Sequence, residues 1–328
     1  MKAKACQVAI MENKRCLVVT GPTASGKTHL AVALARCFGC EIVSADSRQV
    51  FRGLDIGTGK DLAEYSTGGK AVPYHLIDVV EPTEDFNLFV YLRFAKTALE
   101  DIWGRGLLPL VCGGTPLYIK ALLDGYDQEG GAPDMAFRKE MERKSPEELL
   151  SMLEKSASPR LFERTDKTQT RRIVRALELA LNGCTVEPVP FMDDALVIAP
   201  YFTRGELHSR IEARLDARLK AGLLDEARRL NENGLTLERM EWLGLEYRFA
   251  ARVLAGKLSE ADMRNELLAH IRQFCKRQDG WFRKLERDGR NIYWIPRGDY
   301  DKAASLVSRW IAGEKLPSPE LRLDDIRY

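Results

Sequence analysis

The chain has 328 residues, 45% of them apolar, enough for one large or two modest domains with a real core. Fifty Lys+Arg stand against 48 Asp+Glu, a formal net charge of +2, so the total neither demands nor excludes nucleic acid and the distribution of charge must decide. Seven scattered cysteines (Cys6, Cys16, Cys37, Cys40, Cys112, Cys184 and Cys275) argue against a disulfide framework and for reduced thiols in a cytoplasmic protein, while Met1–Gln7 lacks the apolar run of a signal peptide and no stretch approaches a membrane span.

The first predicted strand, Cys16–Thr20, is apolar and β-branched, as a buried parallel strand should be. It runs into Gly21-Pro22-Thr23-Ala24-Ser25-Gly26-Lys27-Thr28, which fits the phosphate-cradling pattern G-x-x-x-x-G-K-[ST]. Leu30, Leu34 and Phe38 then share one helical face, with Gly39 as a C-cap. In this strand–loop–helix context Gly21 and Gly26 let backbone N–H groups turn inward and the helix N-terminus adds its positive end. Lys27 is placed to neutralise a terminal phosphate, and the Thr28 hydroxyl to hold Mg²⁺. Cys37 and Cys40 form a C-x-x-C with no second ligand pair nearby, which reads as structural.

Glu41–Ala45 predicts a second strand delivering Asp46, Ser47, Arg48 and Gln49, and residues 54–73 read as a loop. Val72–Val80 predicts a third strand with Asp78 near its end, where a binding role and a turn-capping role are equally open. A helix follows over Leu88–Ile102, then a strand over Leu107–Cys112 and a tight turn, Gly113-Gly114-Thr115-Pro116. This alternation predicts an α/β fold, a P-loop NTPase-like core whose parallel sheet is flanked by helices and whose ligands sit at the carboxyl ends of the strands.

From residue 126 to 171 the character changes. Gln128–Pro133 reads as a linker, and the charged stretch that follows carries too few apolar residues for a core of its own, so it is expected to pack on the main domain. The division predicted is residues 1–125 and 172–328 for the α/β core with a helical C-terminal part, and 126–171 for a small helical insertion. Arg171, Arg172 and Arg175 open a helix, Ala195–Pro200 is a strand, and one long helix is predicted from about 206 to 232. A basic helix carries Arg272, Lys276 and Arg277 among Phe274, Trp281 and Phe282, a pattern that suits either a solvated amphipathic face or a grip on a polyanion. Asn291–Ile295 is a late strand, and the charged tail after Pro317 is expected to fray.

Taken together, Gly21–Thr28, Ser44-Ala-Asp46-Ser47, Asp55-Ile-Gly-Thr58, His75-Leu-Ile-Asp78, Gly113-Gly-Thr115-x-Leu-Tyr118, Arg175-Ala-Leu-Glu178 and Arg272-Gln-x-x-Lys-Arg-Gln278-x-x-Trp-Phe-Arg283 resemble the tRNA dimethylallyltransferases, or tRNA isopentenyl transferases, over residues 15–285. The resemblance implies transfer of a dimethylallyl group from dimethylallyl diphosphate to N6 of adenosine 37 in tRNAs that read codons beginning with U, with release of diphosphate. It implies that Gly21, Pro22, Thr23, Ala24, Ser25, Gly26, Lys27 and Thr28, with Arg204, bind the diphosphate, that Asp46 is the general base, and that Thr115 contacts the target adenosine. It further implies that Asp46 to Gln49, Thr115, Arg171, Arg172, Arg175, Arg272, Lys276 and Arg277 face tRNA, and that the insertion clasps the anticodon stem. Mg²⁺ is the implied cofactor, and a monomer without a membrane the implied state. The departures are Thr168-Gln-Thr-Arg-Arg172 for Asn-Asp-Pro-Gln-Arg, Gly244-Leu-Glu-Tyr247 for Gly-Tyr-(Lys/Arg)-Glu, Tyr74 for the first His of a pair, Phe51 for Tyr and Gly59 for Ala. The alternatives are a relative acting on free adenine nucleotides, a P-loop small-molecule kinase, and a catalytically silent RNA-binding protein.

Overall fold

A computed structural model describes residues 14–126, 134–183 and 189–326; the expected linker Gln128–Pro133, the N-terminal heptad, Cys6 and Cys184 lie outside these residues. In chain order the elements are β1 (Arg15–Val19), α1 (Lys27–Phe38), β2 (Glu41–Ser44), α2 (Ala63–Ser66), β3 (Tyr74–His75), α3 (Leu88–Gly104), β4 (Pro109–Cys112), α4 (Pro116–Asp124), α5 (Met135–Met141), α6 (Pro146–Ser156), α7 (Pro159–Arg164), α8 (Thr170–Leu181), β5 (Asp194–Tyr201), α9 (Arg204–Lys220), α10 (Leu223–Glu232), α11 (Leu237–Met240), α12 (Leu245–Leu254), α13 (Glu260–Arg287), β6 (Ile292–Pro296) and α14 (Tyr300–Ile311).

The sheet is six-stranded with order β3-β2-β4-β1-β5-β6, and every pairing is parallel. Leu17 registers with Leu110 on one side and Leu196 on the other, and all three are buried, as strands covered on both faces require. Because β1 and β4 are neighbours, the loop after β1 and the turn after β4 emerge side by side. Thr20 fixes this by donating to the Gly113 carbonyl at 2.9 Å. Gly113 itself is obligatory, since a Cβ there would stand 2.2 Å from the Ala45 carbonyl oxygen at the end of β2.

The larger compact unit comprises residues 1–123 and 192–328, and the smaller one Asp124–Phe191. Residues 172–191, expected in the core, therefore fall in the smaller unit. That unit also has an apolar cluster of its own, in which Ile173, Val174 and Leu177 of α8 join Met141, Leu149, Leu153 and Leu161. The stretch 134–163 alone looked too polar for this, and α8 supplies the missing apolar face.

Three expectations change. The third strand is only two residues long, because Leu76 and Asp78 turn the backbone at φ 63° and 56°. The helix expected over 206–232 breaks at Gly222, whose φ of 98° starts α10 afresh. The tail is packed as far as it is described, to Ile326: Leu323 is buried, its N–H donates to Glu286 at 3.0 Å, and Asp324 pairs with Arg283 and Arg287 of α13. Among the described residues no helix is long and apolar enough to cross a membrane.

Candidate active site

The phosphate loop leaves β1 with Gly21 at φ 139°, Ala24 at 62° and Gly26 at 81°, and α1 begins at Lys27 with no side chain capping it. The first N–H groups of α1 are thus left for an anion. Ser25 Oγ is buried without a partner, a polar atom for which an anionic ligand offers a place. Lys27 and Thr28 line a cavity of about 690 Å³, together with Thr23, Ala24 and Gly26. Burial and the neighbouring Arg214 push the Lys27 pKa below that of an ordinary lysine.

Two further strand ends open into the same cavity. Asp46 and Ser47 follow β2, and Thr115 follows β4. Asp46 Oδ1 accepts the Arg48 N–H at 2.9 Å. Thr115 Oγ1 accepts the Ser47 N–H at 3.0 Å, and its own N–H donates to Ala45 at 3.2 Å. Arg48 and Gln49 also line the space; Gln49 donates to the Gly59 carbonyl at 3.0 Å.

Several lining residues were missed in the sequence. Arg210 donates to the Ala24 carbonyl at 2.8 Å, Arg214 to Thr23 Oγ1, and Arg218 to the Gly57 carbonyl at 3.2 Å. These arginines recur every four residues on α9, a spacing that lines up one cationic edge of the helix and is readable in the sequence. Gln278 of α13, only 3% exposed, joins two loops: its Oε1 accepts the Thr23 N–H at 2.9 Å and its Nε2 donates to Gly114 at 2.6 Å. Glu226 of α10 accepts the N–H groups of Asp55, Ile56 and Gly57 at 3.1, 2.9 and 3.2 Å, and the Tyr247 hydroxyl at 2.5 Å. Gly59 has a reason of its own, because its φ of 61° lies in the left-handed region that favours glycine.

Other expected site residues lie elsewhere. Arg204, Arg272 and Lys276 line a second cavity, of about 330 Å³, with Pro22 on its wall. The arginines beside the phosphate loop in the first cavity are Arg210 and Arg214, since Arg204 sits at the first turn of α9 and they lie about two turns further along it. Arg272 pairs with Glu212 at 3.1 Å, and Arg277, exposed, lines the first cavity. In the smaller unit Arg171 is exposed, while Arg172 pairs with Asp166 at 2.5 Å and Arg175 with Glu178 at 3.0 Å. Asp78 is a structural partner: with Asp55, 2.6 Å away, it holds the ammonium of Lys60, itself 1% exposed. Cys40 is buried and its thiol is pushed up to about 12, Cys37 is exposed, and among the described residues no His/Cys/Asp/Glu cluster could hold a metal.

A family described as IPP transferase matches residues 49–285, and one described as isopentenyl transferase matches residues 14–71. The tRNA dimethylallyltransferase 1 of Geotalea uraniireducens (strain Rf4) is 46% identical over 286 residues, which is 87% of this chain and 93% of that protein. That of Syntrophus aciditrophicus (strain SB) is 42% identical over 292 residues, 88% of this chain and 95% of that one. The crystal structure of the full-length tRNA isopentenylpyrophosphate transferase from Bacillus halodurans superposes with a TM-score of 0.66 at 32% identity, covering 91% of this chain and 96% of its own. A eukaryotic dimethylallyltransferase acting on tRNA shares the fold, with a TM-score of 0.77 at 23% identity over 93% of this chain and 81% of its own. Matched over more than half of its length by the family, and over most of it by these relatives, the chain belongs to the tRNA dimethylallyltransferases.

Proposed function

We propose that this chain transfers the dimethylallyl group of dimethylallyl diphosphate to N6 of adenosine 37 in a tRNA anticodon loop, releasing diphosphate. The observation that carries the reading is one cavity in which a phosphate loop with Lys27, Arg210 and Arg214 meets Asp46 and Thr115. An allylic diphosphate reacts by breaking its C–O bond, and the departing diphosphate gathers negative charge. Lys27, Arg210, Arg214 and the backbone N–H groups at the start of α1 are fixed beforehand to receive that charge. The adenine amine is a weak nucleophile because its lone pair is delocalised into the ring. As the N6–C bond forms, Asp46 takes the N6 proton, and Thr115, held by Ser47, orients the base.

Mg²⁺ fits this arrangement: Thr28 lines the cavity, its hydroxyl would hold the ion, and Ser25 Oγ of the same loop is buried without a partner. When bound, the ion would neutralise diphosphate charge. Ser47, Arg48, Gln49 and Arg277 at the cavity, Arg272 and Lys276 elsewhere on the larger unit, and Arg171, Arg172 and Arg175 of the smaller unit are assigned to tRNA, with the smaller unit clasping the anticodon stem. The enzyme acts as a cytoplasmic monomer on this reading.

The test offers the purified chain dimethylallyl diphosphate, Mg²⁺ and either an anticodon stem-loop RNA or AMP, and weighs both acceptors by mass spectrometry. One dimethylallyl group on the RNA, at the adenosine 3′ of the anticodon, is expected. No gain on the RNA overturns the proposal, and gain on AMP alone would make the chain an enzyme of free nucleotides.

A further inference from the structure

We propose that Trp242 is a stacking platform for the nucleobase next to the acceptor adenine. The inference rests on RNA being the acceptor of the reaction above. Trp242 is 69% exposed, although its neighbours Met240 and Leu243 are buried at 0% and 1%. The backbone presenting it is held at both sides. Its N–H donates to Arg239 at 3.1 Å, Arg239 in turn donates to the Pro82 carbonyl at 2.8 Å, and the Trp242 carbonyl accepts from Arg48 at 2.8 Å. Arg248 donates to the Glu241 carbonyl at 3.0 Å on the other side of the indole's own residue.

A large apolar ring on a braced turn has lost backbone freedom already, so a partner gains its contact area at low entropic cost. The position favours RNA. The next residues, Leu243, Gly244 and Leu245, line the catalytic cavity, and its lining also carries Arg48, Arg248 and Arg277, cations suited to phosphates on either side of an extruded nucleotide. Lifting one base out of a loop unstacks its neighbours, and an indole offers the exposed neighbour a new partner whatever its sequence. Three guanidiniums lining one cavity beside this turn complement the phosphates of a polyanion, which is why the RNA occupant is preferred.

The experiment measures binding of an anticodon stem-loop RNA to the wild-type chain, Trp242→Ala and Trp242→Phe, using intact RNA and two RNAs lacking the base 5′ or 3′ of the acceptor adenosine. Trp242→Ala should weaken binding of intact RNA by about 5- to 100-fold. Trp242→Phe should restore most of it, and one of the two abasic RNAs should bind wild type and Trp242→Ala alike. Affinity for dimethylallyl diphosphate should be the same in all three proteins, which separates stacking from misfolding. Unchanged binding of intact RNA by Trp242→Ala overturns the proposal, as does an equal loss on intact and both abasic RNAs. A wild-type protein that binds the RNA without prenylating it would overturn the reaction proposed above, and the same binding series would still decide the role of Trp242.

Discussion

Asp46 leaves β2 with one carboxylate oxygen on the Arg48 N–H, which fixes its rotamer. If it takes the N6 proton, Asp46→Ala should leave RNA binding near wild type and cut transfer about 10²–10⁴-fold. Single-turnover transfer assays decide this, and a fully active variant removes Asp46 from the base role. Lys27 carries a pH prediction. Its depressed pKa means that the free protein sheds this proton at lower pH than an ordinary lysine does. A bound diphosphate favours the charged form, so binding takes up a proton once the pH passes the depressed value. Donor affinity should therefore fall as pH rises from neutrality toward the lysine range, and the dependence should flatten in Lys27→Met. Calorimetric titrations across that range check it; a wild-type affinity that does not change with pH would contradict the assignment.

The elements around the cavity do their work by crossing sequence distance. Gly222 ends α9 and lets α10 set off in a new direction, with Glu226 in its first turn. From there the carboxylate takes three consecutive N–H groups of the 55–57 segment, whose Gly57 and neighbouring Thr58 and Gly59 line the cavity. Gly57 has no room for a side chain, since a Cβ would lie 2.6 Å from the Tyr247 ring. Removing the acceptor leaves buried donors without partners, so Glu226→Ala should cost about 3 kcal/mol of folding stability. Chemical denaturation measures it, and a loss under about 1 kcal/mol would mean that other contacts hold this segment. Gln278 links Thr23 to Gly114 in the same manner, joining the phosphate loop to the turn that carries Thr115.

Across the whole molecule, charge is balanced in sum and uneven in place. Lys276 and Arg277 are exposed on α13, and if they meet RNA phosphates, replacing both with Ala should weaken RNA binding and lower the salt slope by about 2. An unchanged slope would put the RNA elsewhere. The phosphate loop, the parallel α/β order and the placement of Asp46 and Thr115 at strand ends were legible because each rests on residues close in sequence: an apolar run, a fixed glycine spacing, a turn after a strand. The third strand was overread because two left-handed residues, Leu76 and Asp78, interrupt a run whose composition alone suits a strand. The tail was underread because Leu323 finds its cover, and Asp324 its cations, on α13. By itself, then, the sequence determined the fold class, the phosphate loop and the family, all matters of local spacing. Only the tertiary structure decided that Arg210 and Arg214 bond to that loop, that Asp78 serves Lys60, and that α8 completes the smaller unit's core. Those outcomes depend on which distant side chains a closed fold brings within a hydrogen bond of one another; the spacing of the α9 arginines is readable along the chain, but what they meet is not.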